Sequence, residues 1–303
     1  MDCKVTILGN TSATPTRDRD PSGQVLHMGN SFILIDCSEG SQSRIIRYNL
    51  SYQRIRYVFI SHLHGDHFLG LPPLLNTMAL HRRSKPITIV GPKGIRKVLE
   101  AIWDSTGTHF DFHMDIIELE DEEVHHQVFE TFEWTAFPLQ HRVPCFGFRF
   151  AEKEMSRKLN IERCHHYGIH HSYFNAIKAG ADYKRANGTV VPNEELTHDG
   201  PQPRSYAYVT DTLPLESCIP HIEKSNLLYH ESTFLDVLSE RAKETYHSTA
   251  RQAAEIAGKA SVNQLIIGHF SSRYYDLDPL IKEAKRFFPE TRIAEQGKTF
   301  LID

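Results

Sequence analysis

A chain of 303 residues that is 40% hydrophobic and 24% charged carries enough apolar material for a full core, in one large or two small domains. No run of about 18 apolar residues occurs, so no membrane-spanning helix is expected. The formal net charge of −4 and pI near 6.5 mean that a role on nucleic acid requires positive charge gathered locally.

The opening MDCKVTILGN lacks the basic start and long apolar stretch of a secretory leader, and the expected location is cytoplasmic. The five cysteines, Cys3, Cys37, Cys145, Cys164 and Cys218, are odd in number and form no C-x-x-C pair. They read as reduced thiols rather than disulfides or zinc-finger ligands. In chain order, strands are expected at Lys4–Gly9, Ser31–Cys37, 56–61, 86–90, 127–139 and 146–152, with a helix over 70–81. From 152 to 204 long apolar residues become sparse, and Gly, His, Lys and Asn are frequent, which predicts an inserted surface arm. Strands resume at Ser205–Val209 and 226–230. Helices follow over 234–244 and 249–259, then a strand at Gln264–Gly268, a helix over 279–288 and a last strand at 299–302. Two strand-rich halves with outer helices predict an α/β fold in which two sheets pack face to face, an αββα sandwich spanning 1–303.

The strongest chemical signal is Ser61-His62-Leu63-His64-Gly65-Asp66-His67, between an apolar strand and a helix. Four residues able to bind a metal fall within six positions, and Gly65 lets the turn form. Imidazole and carboxylate suit zinc, and so dense a set on a loop can turn toward two ions. Further candidates each follow a predicted strand: His141 in Leu139-Gln140-His141, Asp211 in Val209-Thr210-Asp211, and His269 in Gly268-His269-Phe270.

The H-x-H-x-D-H block, followed in order by these three residues, resembles the metallo-β-lactamase superfamily over essentially the whole chain. Within it, three further blocks resemble the ribonuclease Z family, the tRNA 3′-processing endoribonucleases. His230-Glu231-Ser232-Thr233 and His247-Ser248-Thr249 are similar to its H-E-A-T and H-S-T blocks. The loop Pro15-Thr16-Arg17-Asp18-Arg19-Asp20 is similar to its P-x-K-x-R-N loop, with Arg17 for lysine and Asp20 for asparagine. The stretch from Asp36 to Gln42 is similar to D-C-G-E-G-T-Q, with Glu39 and Gln42 as residues supporting the ligands. The insertion falls where that family carries a flexible tRNA-binding arm. From Glu152 to Arg185 it holds seven Lys/Arg against four Asp/Glu, while the remainder holds 27 against 34, so positive charge is segregated as phosphate binding requires. The Gly168-Ile169-His170-His171 segment departs from the family's Gly-Ile-Pro…Gly-Pro turn, whereas Lys178-Ala179-Gly180 and Asn187-Gly188 fit.

The resemblance implies two Zn2+ per chain, one on His62, His64 and His141, the other on Asp66, His67 and His269, with Asp211 bridging. It implies hydrolysis of precursor tRNA 3′ of the discriminator base, leaving a tRNA 3′-hydroxyl and a trailer 5′-phosphate. Asp66 would help take the proton of the attacking water, and His247, oriented by Glu231, would protonate the leaving oxygen. Arg17, Arg19, Lys178, Lys184 and Arg185 would bind the RNA, and the chain would form a homodimer. Two other readings are a hydrolase of small phosphodiesters or esters on the same fold, and a non-catalytic RNA-binding protein. The complete ligand set with His247 disfavours the second.

Overall fold

The computed structural model describes residues 3–153, 157–200 and 202–303. Met1, Asp2 and Glu154, which entered the readings of the N-terminus and of the insertion's charge, lie outside the described residues. Two compact units result: one from the residues up to Glu152 together with those from Arg204 onward, the other from Lys153–Pro203.

The larger unit begins with β1 (Lys4–Gly9), β2 (Gly23–Met28), β3 (Ser31–Cys37), α1 (Ser41–Arg47), β4 (Ile55–Phe59), α2 (Gly65–Phe68), α3 (Leu71–Leu80), β5 (Ile87–Pro92), α4 (Ile95–Thr106) and β6 (Met114–Leu119). It continues with β7 (His125–Val128), β8 (Phe132–Leu139) and β9 (Cys145–Glu152). The smaller unit holds β10 (Lys158–Leu159), α5 (Ile161–His166), α6 (Phe174–Lys178), β11 (Tyr183–Lys184), β12 (Val190–Val191), α7 (Asn193–Leu196) and β13 (Thr197–His198). The larger unit resumes with β14 (Ser205–Val209), α8 (Ile219–Ile222), β15 (Leu227–Glu231), α9 (Ser239–Thr245), α10 (Ala250–Lys259), β16 (Gln264–Gly268), α11 (Asp278–Lys285), β17 (Thr291–Ile293) and β18 (Thr299–Leu301).

Two seven-stranded sheets form the larger unit, in the orders β18-β1-β2-β3-β4-β5-β6 and β17-β16-β15-β14-β9-β8-β7. β3 shows why they pack. Its residues alternate, Ile33 and Ile35 entering the core shared by the two sheets and Phe32 and Leu34 the core under α1, α3 and α4. A third apolar cluster joins the outer face of the second sheet to α8, α10 and α11, which completes the αββα layering. Phe59, the last residue of β4, meets Trp134, Phe148 and Phe150 edge-on at ring separations of 5.2, 5.3 and 4.8 Å. It anchors the strand end from which the first metal-ligand candidates emerge, and truncating such a ring costs about 3–5 kcal/mol. Just beyond those candidates Gly70 donates its N–H to the Cys37 carbonyl at 2.8 Å. A Cβ there would stand 1.9 Å from the Ser38 oxygen, so only glycine lets the chain enter α3.

The structure departs from the expected elements in several places. The single strand over 127–139 is two, β7 and β8, joined by a tight turn in which the Phe129 N–H reaches the Phe132 carbonyl at 2.8 Å. The helix expected over 234–244 starts only at Ser239, because Phe234 bridges Thr249 and its carbonyl accepts from Ala250 at 2.9 Å. In the larger unit β2, α1, α2, α4, β6, α8 and β17 fall outside the expected elements.

The smaller unit has its own apolar centre of Cys164, Ile169, Ile177, Val191 and Leu196. Asn193 ties it together, its side-chain amide donating to the carbonyls of Ile177 at 2.6 Å and Ala181 at 2.8 Å. β11 and β12 form a hairpin closed by Asn187-Gly188, where Gly188 takes the left-handed φ of 86° that the turn requires.

Candidate functional site

The candidate residues converge at the carboxyl ends of strands, where α/β sheets commonly bind ligands. β4 leads into the loop bearing His62 and His64 and into α2, which bears Asp66 and His67. The turn between β8 and β9 carries His141. Asp211 follows β14, Glu231 closes β15, and His269 follows β16. Asp211 and His269, with φ of 22° and 58°, hold left-handed backbone although neither is glycine, a conformation tolerated where surrounding contacts enforce it.

Asp211 lies at the centre. Its Oδ2 is 3.8 Å from His62 Nε2 and 3.9 Å from His141 Nε2, and His141 Nε2 is 3.3 Å from His64 Nδ1. Its Oδ1 is 3.2 Å from His269 Nε2 and 3.4 Å from His67 Nε2. Asp66 Oδ2 is 3.4 Å from His67 Nε2 and 3.9 Å from His269 Nε2. The structure thus brings all seven ligand candidates together, with the two oxygens of Asp211 facing two groups, His62–His64–His141 and Asp66–His67–His269.

Buried imidazole nitrogens normally have partners. The Nε2 atoms of His62, His67 and His269 make no hydrogen bond, although all three are buried, and they face only the carboxylates across this space. Five imidazoles and two carboxylates around unpartnered nitrogens fit divalent cations of zinc's type. Burial, followed by the neighbouring His67, pushes the His62 pKa well below its ordinary value, which keeps a lone pair free for a metal. Burial raises the Asp211 pKa, but His269, His67 and His62 prevail and hold it well below the carboxylate range.

The ring nitrogens turned away from this space are held by the protein. His67 Nδ1 donates to Asp36 at 2.6 Å, and His62 Nδ1 meets the Ser61 hydroxyl at 3.0 Å, itself a donor to Asp36 at 2.9 Å. His141 Nδ1 donates to the Tyr246 carbonyl at 3.2 Å. His269 Nδ1 meets the Thr233 hydroxyl at 3.0 Å, which donates to Glu231 Oε2 at 2.7 Å. Such outer contacts fix each ring's tautomer and direction. Asp36 and Thr233 stand in family-like blocks of the sequence, but these hydrogen bonds, and that of the Tyr246 carbonyl, are visible only in the structure. Glu39, expected to support the ligands, is exposed, and Gln42 bonds Thr77 at 2.5 Å instead.

Glu231 is fully buried, and its Oε1 is 2.8 Å from His247 Nδ1. Burial disfavours charge on His247, but the Glu231 carboxylate prevails and raises the pKa to about 9. His247 lines a cavity of about 210 Å3 together with His64, Asp66, His141, Asp211 and His269. The Glu231–His247 pair therefore borders the cluster of ligand candidates. His230 faces elsewhere, donating Nδ1–H to the Glu231 carbonyl at 2.7 Å.

The RNA-binding candidates are dispersed. Arg17 is exposed beside a cavity of about 450 Å3 formed by its own loop with Ser272 and Tyr275. Arg19 lines the same cavity but is partly buried and donates to the Tyr274 carbonyl at 2.5 Å. Asp20 pairs with Arg44 at 3.1 Å, which makes it a structural residue of the loop. Lys178, Lys184 and Arg185 are exposed in the smaller unit, Arg185 lying 5.7 Å from the centre of the Tyr167 ring.

Residues 3–156 match a family model described as Anti-Pycsar protein Apyc1, a span that contains His62 to His141 but not Asp211, Glu231, His247 or His269. Similarity over the full length is to proteins named ribonuclease Z. That of Parabacteroides distasonis is 41% identical over 300 residues, 98% of each chain. That of Porphyromonas gingivalis is 40% identical over 294 residues, 96% of each chain. The crystal structure of human tRNase Z, short form (ELAC1), superposes with a TM-score of 0.74 at 28% identity, covering 99% of both chains.

Proposed function

The chain belongs to the ribonuclease Z family, and from that premise we infer how its site carries out the endonucleolytic processing of tRNA 3′ ends. The proposal is that it cuts precursor tRNA immediately 3′ of the discriminator, leaving a 3′-hydroxyl on the tRNA and a 5′-phosphate on the trailer. The observation that carries this reading is the placement of Asp211 between two histidine-containing groups, with the Glu231–His247 pair lining the same cavity.

His62, His64 and His141 would hold one zinc, Asp66, His67 and His269 the other, and Asp211 both. When bound, such ions would lower the pKa of the attacking water and stabilise negative charge on phosphoryl oxygens. The chain's own residues do the rest. Asp66, fixed by the Ala13 N–H at 2.9 Å, accepts a proton from the water that attacks phosphorus. As the P–O3′ bond breaks, His247 gives its proton to the departing oxygen, which is otherwise a poor leaving group at neutral pH. Glu231 keeps His247 oriented and charged through the 2.8 Å contact.

Arg17 and the exposed cations Lys178, Lys184 and Arg185 would contact RNA phosphates, while Arg19 would act mainly by shaping its loop. We further propose a homodimer acting in the cytoplasm. No helix among the described residues is long and apolar enough to cross a membrane. Precursor tRNA labelled at its 5′ end, incubated with the zinc-loaded protein, should yield one product ending at the discriminator with a free 3′-hydroxyl. No cleavage, or ends bearing a 3′ or cyclic phosphate, would overturn the reading. Analytical ultracentrifugation tests the dimer.

A further inference from the structure

A second cavity, of about 260 Å3, adjoins the metal cavity and shares His247 with it. Resting on the reading of His247 as the proton donor, we propose that this cavity is the subsite for the nucleoside whose 3′ oxygen is released, and that Glu240 there selects a base bearing an exocyclic amino group.

The argument starts from reach. A proton passes from His247 only to an oxygen within hydrogen-bond distance, so the ribose carrying that oxygen must border the imidazole. Phosphorus must lie among the metal ligands. The nucleoside is then led into the neighbouring space that His247 also lines.

The walls suit such a guest. Leu213 and Pro214 provide an apolar surface for a base face, and Gln140, Glu240 and Lys243 provide polar groups. None of those three side chains has a hydrogen-bond or ion-pair partner among the described residues. On the same helix, α9, Arg241 and Glu244 pair at 3.0 Å. Glu240 and Lys243 have the same three-residue spacing and opposite charge, yet stand apart and both line the cavity. A carboxylate is an acceptor only. It is satisfied by the amino groups of adenine, cytosine or guanine, whereas uracil offers a single N–H between two carbonyls that repel it. Lys243 would hold the phosphate on the 5′ side of this nucleoside.

The test uses zinc-loaded protein and four precursor tRNAs that differ only in the unpaired nucleotide at the end of the mature tRNA. With wild type, kcat/KM for A, C and G should exceed that for U by about 10-fold, the discrimination of one good base contact. Glu240→Gln, whose amide also donates, should bring the A-to-U ratio close to one. Being a ratio, it is insensitive to the fraction of active enzyme. Lys243→Ala should raise KM and reduce the slope of log affinity against log salt by about one contact. Equal rates for all four substrates with wild type, or an A-to-U ratio unchanged by Glu240→Gln, would overturn the subsite. A wild-type protein that cuts none of the four would instead overturn the functional reading beneath it.

Discussion

His67 donates its Nδ1–H to Asp36 at 2.6 Å, and this buried carboxylate also accepts from the Ser61 N–H, the Ser61 hydroxyl and the Tyr208 hydroxyl at 2.8, 2.9 and 2.7 Å. Four donors thus converge on one side chain, which connects β3 to the ligand loop after β4 and to β14 in the opposite sheet. Asparagine has one acceptor oxygen, and its amide would face donors. Asp36→Asn should therefore lower stability by about 3 kcal/mol and weaken zinc affinity 10- to 100-fold. Chemical denaturation and competitive metal titration measure the two effects. A mutant of normal zinc affinity would mean that His67 is oriented by other contacts.

Glu231 serves the other side of the site. Its Oε1 meets His247, and its Oε2 accepts from the Thr233 hydroxyl, to which His269 is bonded. His247→Ala should keep both metals and slow precursor cleavage by about 10²–10⁴-fold. The loss should shrink for a nitrophenyl phosphodiester, whose leaving group needs no proton. An equal loss on both substrates would assign His247 a structural role. Glu231→Gln should disturb metal binding as well, because it loosens His269.

On the proposed ligand set Asp211 is shared, so its removal should not spare one metal. Wild type is expected to hold about two zincs per chain. Asp211→Ala should lower the occupancy of both positions and abolish cleavage. Elemental analysis after reconstitution is the measurement, and a mutant that retains one tightly bound zinc would contradict the bridging role.

What the sequence revealed follows from where chemistry meets periodicity. His62, His141, Asp211 and His269 each stand just past an apolar strand run, so the strand pattern marks them as residues delivered to one edge. Asp36 is marked only as the first residue of a family-like stretch; its hold on His67 is hidden because it sits inside such a run, Ser-Phe-Ile-Leu-Ile-Asp-Cys, and its partners are distant in the chain. The Tyr246 carbonyl was illegible for a different reason: backbone groups carry no residue signature. Tyr246 caps α9 in left-handed conformation, φ 60°, which places its carbonyl on His141 and the next residue, His247, at the cavity. The spacing of Ile95, Val98, Leu99 and Ile102 carries the helical period that α4 takes up. The small core of the 153–203 unit rests on a few residues far apart in the chain, so its composition marks an inserted arm but not the short elements that pack within it.

The smaller unit should supply binding energy and no chemistry, since every ligand candidate and the Glu231–His247 pair lie in the larger one. Its removal is geometrically simple. Glu152 and Arg204 face each other at the end of the β9–β14 ladder, joined by a 2.9 Å backbone hydrogen bond and a 2.6 Å ion pair. A short Gly-Ser bridge can therefore replace Lys153–Pro203 without straining the sheet. The shortened protein should bind zinc and hydrolyse a nitrophenyl phosphodiester at near wild-type levels. Its cleavage of precursor tRNA should fall steeply, chiefly through weaker binding. Each phosphate neutralised by Lys or Arg releases counterions, so wild-type tRNA affinity should drop as salt rises, and the deletion should flatten that dependence. Circular dichroism and ultracentrifugation must first show an unchanged fold and oligomeric state. If they do, and tRNA affinity and salt slope both match wild type, the insertion is not the tRNA grip, and the exposed Arg17 loop becomes the surface to which the binding energy must be assigned.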